Sequence, residues 1–331
     1  MAPRKKVTIR EVAEAAGVSP ATVSLVYNDK GEVAQATRDR VLAIGKELGY
    51  QPGWFSKVFR SGRSHVIGVA VVHSGSAIWE RTYLPYYRGI IAGAAMEALG
   101  HGYSITAVPV TPGGALAGPI PLDGLIVVDP GTDDPIVAYA LEQGMAVVAE
   151  GGYEGTAPAG RLRSVRAAVE TGVPAALDAL LASGATRPAF LSGSSIDGYT
   201  AGSLRAYEGW CAEHGIAPLV YMLPEGQPPI DGARELVADA LGRADAVHCL
   251  NETYAAAVIA AAAEAGRAVP ESLAVSVAGE ARGAAVDPRL IYLELDPIES
   301  GAQCARVLIE LLEGGSPDDV VTPMALEPAR V

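Results

Sequence analysis

Hydrophobic and polar positions follow two different patterns along this chain. Over the first fifty residues, apolar side chains recur every three or four positions in three short stretches, which predicts three amphipathic helices. From Val66 onward, short continuous apolar runs alternate with longer helical stretches. That alternation is typical of buried parallel strands joined by helices. The pattern therefore predicts a small helical domain followed by an α/β body.

The first two predicted helices have clear start and stop signals. Thr8 and Glu11 have the spacing of a capping box, in which each side chain satisfies a free amide at a helix start. Gly17 is expected to end this helix, and Ser19 is expected to cap the next, with Pro20 at its first position. Two helices joined by a short turn containing glycine form a helix-turn-helix, whose second helix enters the DNA major groove.

A third helix is predicted over residues 35–48. Val41, Ile44 and Leu48 fall on one face of it, and Gly49 is expected to end it.

The body is predicted to alternate between strands and helices. The expected strands cover residues 66–72, 104–108, 123–128, 146–149, 189–191, 219–222, 246–250 and 274–278. The expected helices cover residues 86–100, 136–143, 172–182, 203–214, 232–241 and 254–265. Units of this kind build parallel sheets.

Charge separates the two parts of the chain. The 331 residues carry a net charge of −13, but residues 1–65 carry +5 and the remainder carries −18. A basic domain on an acidic body suits a protein that contacts phosphates at one end only. At this length, a headpiece and two further lobes are expected rather than one domain.

Cysteine usage and hydropathy favour a cytoplasmic protein with no membrane contact. Cys211, Cys249 and Cys304 are odd in number and far apart, which indicates reduced thiols rather than a disulfide framework. The basic residues 1–6 lead into a charged helix and not into the apolar core of a signal peptide. The longest apolar run, residues 255–263, is too short to span a bilayer.

The N-terminal segment contains a dense series of motifs. It has VTIREVAEAAGVSPATVS at 7–24, then Asn28, TRDRV at 37–41 and KELGYQP at 46–52. The series resembles the headpiece of the lactose-repressor (LacI) family of bacterial transcription regulators. The resemblance is much weaker after Pro52, but it implies a three-helix helix-turn-helix headpiece plus an α/β periplasmic-binding-protein-like body of two parallel-sheet lobes.

The resemblance also implies where the domains divide and where a ligand would bind. The two lobes are expected to be joined by three crossovers, with a ligand cleft between them. We expect a headpiece at 1–52, a hinge helix and linker at 53–65, a first lobe at 66–163 with about 295–322, and a second lobe at 164–294 with about 323–331.

The family resemblance assigns DNA-binding roles to residues of the headpiece and hinge. Side chains on the second helix would reach base edges, while flanking hydroxyls and amides would hold phosphates. The residues expected to face bases are Pro20, Ala21 and Leu25. Those expected to contact the DNA backbone are Thr8, Ser19, Thr22, Ser24, Asn28, Thr37 and Tyr50, and Ser56 of the hinge is also expected to bind DNA.

The hinge segment is too short to hold a helix alone in water, because helix nucleation is costly. In the family, the corresponding segment orders on operator DNA, pairs with its dimer mate in the minor groove and wedges a leucine into a base step. Phe59 stands at that position here, and apolar side chains of this kind can unstack a step and bend the duplex. The alternative is that Phe59 packs against the body.

Two headpiece residues depart from the family pattern. Most members have an arginine that can read a guanine where this chain has Leu25, and leucine can only touch a thymine methyl or fill space. The operator is therefore expected to differ at that base pair, unless Leu25 belongs to the headpiece core. Ala34 replaces the usual serine cap of the third helix, which costs about 1 kcal/mol at most sites.

The expected cleft lacks much of the family's sugar-binding pattern. The asparagine that precedes an acidic residue is present as Asn251–Glu252. The family's arginine position is Ala206, with Arg205 one residue away, and its aspartate position is Ala281. A Val-Asp-Asn motif aligns with Ala167–Val169. Because a cleft without these groups leaves sugar hydroxyls unpaired, a simple sugar is less expected than for an average member.

Eight residues remain as candidates for effector binding. The expected aromatic rim is formed by Tyr86, Tyr87 and Trp210, and the expected polar partners are Glu150, Arg205, Asn251, Glu252 and Asp296. Each of them alone could instead be an ordinary surface or lobe-core residue.

No catalytic or cofactor motif stands out. The sequence contains no G-x-S-x-G, no G-x-x-x-x-G-K-S/T and no G-x-G-x-x-G, and its five histidines have no metal-ligand spacing. We therefore predict a repressor without cofactor or metal that binds a pseudo-palindromic operator as a homodimer under control of a small-molecule effector. A solute-binding protein without DNA function and an enzyme are the alternatives. The sequence leaves open whether the effector releases the operator or promotes binding.

Overall fold

The computed structural model divides the chain into two compact units, Met1–Ser64 and His65–Val331. Each unit has its own core. The structure describes residues 7–27, 31–50, 63–72, 84–111, 114–118, 120–156, 160–193, 197–223, 238–240, 242–281 and 286–327.

The N-terminal unit is a three-helix headpiece. Its helices are α1 (Ile9–Ala16), α2 (Pro20–Tyr27) and α3 (Gln35–Leu48). The predicted capping box forms, since the Thr8 side chain accepts from the Glu11 amide and the Glu11 side chain accepts from the Thr8 amide. Gly17 and Gly49 end α1 and α3 with left-handed φ angles of 62° and 69°. Ala34 provides no side-chain cap, as expected.

The headpiece has its own apolar core. Its buried members are Val12, Ala13, Ala16, Val23, Val26 and Val41. Of the three apolar side chains predicted to share a face of α3, Val41 is buried, Ile44 is partly buried against this core and Leu48 is 40% exposed. Helix α3 packs closely against α2 at Gly45, where a Cβ would lie only 1.7 Å from the Tyr27 hydroxyl oxygen. The Tyr27 ring thus occupies the space that a larger side chain at position 45 would need.

The body contains twelve strands and six helices within its described residues. The strands are β1 (Val66–Val71), β2 (Ser104–Ala107), β3 (Gly124–Val128), β4 (Ala146–Glu150), β5 (Leu162–Ala167), β6 (Pro188–Gly193), β7 (Val220–Leu223), β8 (Ala246–Cys249), β9 (Ala274–Gly279), β10 (Ile291–Glu294), β11 (Val320–Thr322) and β12 (Ala325–Glu327). The helices are α4 (Leu84–Gly100), α5 (Pro135–Glu142), α6 (Val169–Ala182), α7 (Gly198–His214), α8 (Glu252–Glu264) and α9 (Pro297–Leu312).

The strands form two six-stranded sheets, which define a first and a second lobe. The first sheet has the order β11-β5-β4-β3-β1-β2, and all of its strand pairs are parallel. The second has the order β12-β10-β9-β8-β6-β7 and is parallel except where β12 pairs with β10. The chain passes between the lobes after β5, after β10 and after β11. The predicted fold class is confirmed.

Several body elements differ from the sequence expectation. β5 was not predicted, and the expected lobe boundary after residue 163 falls inside it. Its sequence, LRSVRA, has only one fully buried position, so it lacks the continuous apolar run of the central strands. Helices α6 and α7 begin earlier than expected, and β10, α9, β11 and β12 were not assigned. The helix expected over 232–241 lies mostly outside the described residues.

Helices α4 and α9 pack very closely in the first lobe. A Cβ on Gly93 would lie 1.8 Å from the Ile298 carbonyl oxygen, and a Cβ on Gly301 would lie 2.0 Å from that of Ile90. Only glycine permits this approach of two helix backbones. The packing fixes the start of α9 beside the ends of β3 and β4, which positions Ser300 for the contact described below.

Candidate functional site

The outer face of α2 is the candidate DNA-contacting surface of the headpiece. Pro20, Ala21 and Leu25 are exposed on it, whereas Val23 and Val26 on the opposite face are buried. Leu25 is 40% exposed and lies outside the headpiece core. The alternative that Leu25 fills the core is therefore not supported, and its side chain is available to a partner.

The hydroxyl groups expected to hold phosphates also stabilise the helix starts. Ser19 Oγ accepts a hydrogen bond from the Thr22 amide at 3.0 Å and lies 2.9 Å from Thr22 Oγ1. The Thr8 hydroxyl donates to Glu11 at 2.9 Å. Because a hydroxyl has one donor and two acceptor positions, the caps position these groups without using all of their capacity.

The remaining headpiece candidates divide into described and undescribed residues. Ser24, Thr37 and Tyr50 are half-buried, and the Tyr50 ring meets the edge of Tyr27 at a centroid distance of 5.2 Å. Burial, and secondarily Tyr27, raises the pKa of Tyr50, so its hydroxyl stays protonated and able to donate. The candidates Asn28, Ser56 and Phe59 lie outside the described residues.

The two lobes meet where strands β3 and β4 end and helix α7 begins. Gly131 pairs with Asp197 in an antiparallel bridge. A Cβ on Gly198 would lie 3.0 Å from the Gly151 carbonyl oxygen, so backbone approaches backbone across the lobes. We call this region the interlobe junction. It consists of the residues around Asp129 and Gly152, where β3 and β4 end, and of Asp197 to Tyr199 at the start of α7. Ligands of parallel α/β sheets bind at this carboxyl edge.

Glu150 is the buried acid of the interlobe junction, with only 2% of its surface exposed. Its Oε1 accepts hydrogen bonds from the Tyr86 hydroxyl at 2.8 Å and the Ser300 hydroxyl at 2.9 Å. Its Oε2 has no hydrogen-bond partner among the described residues. Burial, aided by nearby Asp197 and opposed by the two hydroxyl donors, raises the pKa of Glu150 to about 7.

Two further tyrosines direct their hydroxyls to acceptors at the junction. Tyr87 donates to Asp129 at 3.0 Å, and Tyr199 donates to the Leu250 carbonyl oxygen at 3.2 Å. Burial raises the pKa of Tyr199 strongly, and Asp197 and Asp129 add to the effect. Tyr199 therefore remains a neutral donor in the midst of carboxylates.

Three predicted cleft residues act as caps or loop anchors. Asn251 caps α8, since its Oδ1 accepts from the amides of Thr253 at 3.0 Å and Tyr254 at 3.1 Å. Asp296 caps α9 by accepting from the Glu299 amide at 3.0 Å. Glu252 accepts from the Glu280 amide at 2.8 Å, and burial raises the pKa of Glu252. All three follow the ends of strands in the second lobe, which is where residues of an interlobe cleft are expected. Their side chains, however, already have hydrogen-bond partners within the second lobe or at the start of a helix.

Arg205 and Trp210 have different positions from those expected. Arg205, on the exposed side of α7, pairs with Glu154 of the first lobe. Trp210 is buried between α6 and α7, donates to Asp178 at 2.8 Å and stacks on His214 at 4.2 Å. Its expected place on the cleft rim is not what the structure shows, because three turns into α7 its side chain faces α6.

The sequence reasoning missed four residues: Asp129, Asp197 and Tyr199 of the junction, and Ser300 of α9, which contacts it. Asp129 directly follows β3, and Asp197 caps α7, so the rule that sites form at strand ends would have found both. Ser300 reaches Glu150 from α9, a helix that was not predicted.

Membrane and metal signals are weak in the described part of the chain. None of the helices in the described ranges combines the length and apolar character that crossing a bilayer requires. Among the same residues, no group of three or more histidine, cysteine or acidic side chains could hold a metal ion. The three cysteines are buried and free.

Comparison with known proteins identifies both parts of the chain. Residues 8–53 match the family of bacterial regulatory proteins called the lacI family. Residues 177–328 match the periplasmic binding protein-like domain. The first match coincides with the headpiece, and the second covers most of the second lobe together with α9 and β11 of the first lobe.

Individual relatives agree with these matches. The sucrose operon repressor of Klebsiella pneumoniae is 54% identical over 70 residues, which cover 20% of this chain and 21% of that protein. The regulator CelR of Thermobifida fusca is 25% identical over 328 residues, 96% of this chain and 95% of that protein.

Solved structures of such regulators share the fold. A CelR–cellobiose complex has a TM-score of 0.69 at 24% identity and covers 97% of this chain and 98% of that one. The Lac repressor dimer bound to operator and the anti-inducer ONPF has a TM-score of 0.73 at 21% identity, with the same coverage.

Together, the headpiece and the two-lobed body define a helix-turn-helix transcription regulator that binds DNA. The headpiece belongs to the LacI family of bacterial regulatory proteins, and the regulator CelR is similar to the chain over nearly its whole length. A solute-binding protein without DNA function is not supported, because residues 8–53 match the DNA-binding part of this family.

Proposed function

We propose that this chain is a repressor that binds a pseudo-palindromic operator as a homodimer. Each headpiece places α2 in the major groove, and the hinge segments lie in the minor groove between the half-sites. The observation that carries this proposal is the exposed outer face of α2, which bears Pro20, Ala21 and Leu25 and is flanked by hydroxyl groups held in place by helix caps. Such a surface can contact bases and phosphates together.

A second copy of the chain is expected to cover an apolar patch on α4. Met96 and Leu99 are 71% and 70% exposed, although both are large hydrophobic residues. A pair of exposed apolar side chains on one helix supports a self-complementary contact, and two-fold dimers are the commonest homo-oligomers. A dimer matches the two-fold symmetry of a palindromic site.

The effector is proposed to bind at the interlobe junction. Asp197 and Gly198 of the second lobe contact Gly131 and Gly151 of the first, so a ligand here would touch both lobes. An effector shifts the balance between lobe arrangements by the difference in its affinity for them. That shift would change the spacing of the two hinges and hence the operator affinity. The structure of the relative CelR has been solved with cellobiose. We therefore expect the effector of this chain to be a small polar molecule.

Selection from a random DNA duplex library tests the proposed function. The purified chain is expected to enrich a two-fold symmetric site, whereas the absence of any enriched sequence would contradict the proposal. The variant Leu25→Arg should then change the preferred base pair at one position of each half-site towards G·C, since arginine reads guanine. An unchanged half-site would show that Leu25 does not face the bases.

A further inference from the structure

The first residue of the body has an unusual backbone conformation. His65 has a φ of 53°, which lies in the left-handed region that residues other than glycine adopt uncommonly. It directly precedes β1, so it is the point at which the chain enters the first lobe from the linker. Its side chain is exposed, so burial of the ring does not account for this conformation. Contacts of its backbone must hold it instead.

Both polar groups of the His65 backbone have partners beside the neighbouring strands. The His65 amide donates to Asp123 Oδ2 at 2.8 Å, and the His65 carbonyl oxygen accepts from the Ser104 amide at 2.8 Å. Ser104 begins β2, Asp123 directly precedes β3, and β1 lies between these two strands. The Asp123 amide also donates to the Val66 carbonyl oxygen at 2.9 Å. We call His65, Ser104 and Asp123 the β1 anchor, because they join the start of β1 to the strands on both sides.

The second lobe holds the start of a central strand in a similar way. Asp245 directly precedes β8 and accepts from the amides of Thr186 at 2.9 Å and Arg187 at 2.8 Å, the two residues before β6. Strand β6 pairs with β8 as β1 pairs with β3. Neither Thr186 nor Arg187 has a positive φ. An aspartate can therefore hold a strand start without a left-handed residue, and this residue occurs at the strand that the linker enters.

Strand β3 connects the β1 anchor to the interlobe junction. Asp123 precedes this strand and Asp129 follows it, and all five residues between them are buried. The strand pairs with β1 on one side and with β4 on the other, so it is held as a rigid element of the sheet. A movement of β3 at the junction is therefore expected to displace the β1 anchor as well.

We propose that the β1 anchor positions the linker for operator binding, by fixing the direction in which the chain leaves the first lobe. His65 and Asp123 are positioning residues in this role, because they act through the linker and not by touching DNA. The inference rests on the proposed function, which places the hinge segments between the half-sites. A linker whose attachment rotates freely loses more conformational entropy when it orders on an operator. Specific binding should therefore depend on the anchor, whereas the phosphate contacts of non-specific binding should not.

Two substitutions at Asp123 test this role in the full-length protein. Affinity is measured at physiological salt for the DNA upstream of its own gene and for a random duplex of equal length. Asp123→Ala removes the acceptor, and it should lower the preference for the upstream DNA by about tenfold or more while affinity for the random duplex stays within about threefold. Asp123→Asn keeps an oxygen that accepts from the His65 amide, so it should retain the preference within about threefold.

Asp245→Ala is the matched control for Asp123→Ala. It removes the corresponding acceptor at the start of a central strand in the second lobe, to which the linker is not attached. Both alanine variants should unfold at a lower urea concentration than the unmodified protein. Only Asp123→Ala should change the preference between the two duplexes, which separates positioning of the linker from a general loss of stability.

Two substitutions at His65 test the backbone conformation itself. Asparagine tolerates the left-handed region, whereas valine, which is β-branched, strongly disfavours it. Both lose the contact of the His65 ring with Tyr103, whose centroid lies 5.1 Å away. His65→Val should lower the preference for the upstream DNA by about tenfold, and His65→Asn should keep it within about threefold. Because this side chain is exposed, the pair decides the question even if Asp123→Ala does not fold.

The outcomes separate this inference from the proposed function. If Asp123→Ala shows the same preference as Asp245→Ala, or His65→Val the same as His65→Asn, the positioning role is wrong and the regulator stands. If the unmodified protein itself does not distinguish the two duplexes, the proposed function is wrong and the positioning role fails with it.

Discussion

Glu150 places an ionisable group where the two lobes meet. Its Oε1 holds together α4 and α9 through Tyr86 and Ser300, and its burial raises its pKa to about 7. One side chain thus links the packing of the first lobe to the charge of the junction. The same burial that makes it a structural anchor makes its protonation depend on whatever binds nearby.

The stability of the protein is expected to depend on pH through Glu150. Its pKa in the folded state is about 7, above the ordinary value of 4.5, so the folded state holds the proton more tightly than the unfolded state. The stabilisation is complete below about pH 4.5 and is lost as pH rises to about 7, by an amount on the order of 3 kcal/mol. Urea unfolding of the unmodified protein and of Glu150→Gln at pH 5 and pH 8 measures this difference.

The buried His248 also makes the stability of the protein depend on pH. A pH profile of the unmodified protein alone therefore does not isolate the contribution of Glu150. Burial lowers the pKa of His248 to about 4, so its contribution is present above about pH 6.5 and is lost as pH falls towards 4. The two slopes oppose each other, and only the difference between the unmodified protein and Glu150→Gln isolates the carboxyl. A difference in unfolding free energy that is the same at both pH values would contradict the assigned role of Glu150.

Helix α3 depends on one glycine for its packing. Adding a Cβ at Gly45 brings a carbon to 1.7 Å from the Tyr27 hydroxyl oxygen, so the Tyr27 ring must move away from its place against Tyr50. Gly45→Ala is expected to destabilise the headpiece by about 1–3 kcal/mol, despite the better helix propensity of alanine. Specific operator affinity should fall by about tenfold or more while unfolding of the body stays unchanged.

Gly209 supplies the matched control for that substitution. It lies inside α7, and a Cβ there would meet nothing within 4 Å. Gly209→Ala should therefore keep or slightly raise the stability of the body by about 0.5–1 kcal/mol. If Gly45→Ala behaves like Gly209→Ala, the close contact with Tyr27 does not constrain the headpiece.

Local signals explain why some elements were predictable and others were not. The ends of α1 and α3 depend on caps that are close in sequence, namely Thr8 with Glu11 and the glycines after each helix, and these were predicted to the residue. β5 has two arginines and little burial, so only its pairing with β4 and β11 makes it a strand. The pairing with β11 joins Val165 to Val320, a separation in sequence that a local pattern does not contain.

The same distinction applies to the candidate sites. The base-facing residues of α2 came from the family resemblance, and Glu150 was one of eight candidates for the effector cleft. Trp210 was misplaced because an aromatic residue in a helix gives no sign of which neighbour it faces. Ser300 meets Glu150 only because α9 returns to the first lobe, an event of the global fold.

At the scale of the whole molecule, charge separates the two functions of the chain. Residues 1–65 carry +5 and the remainder carries −18. The basic end attracts the DNA backbone, and the acidic body is repelled from it, which favours contact through the headpieces alone.

Dimer formation is expected to depend on the apolar patch of α4. Replacing Met96 and Leu99 together by glutamate places two charges where a second copy would pack, so the variant should sediment as a monomer at concentrations where the unmodified protein is a dimer. Leu42→Glu, at a headpiece position that is 41% exposed, is the control and should leave the dimer intact. A dimer that survives both glutamates would place the interface elsewhere.

The most direct test of the regulator itself is a salt-titrated competition between two DNA duplexes. The full-length protein is mixed with the DNA upstream of its own gene and with a random duplex of equal length. At physiological salt, we expect a preference for the upstream DNA of about 10³-fold or more, and affinity for both duplexes should fall steeply as salt increases. Equal affinity for the two duplexes at physiological salt would contradict sequence-specific regulation by this chain.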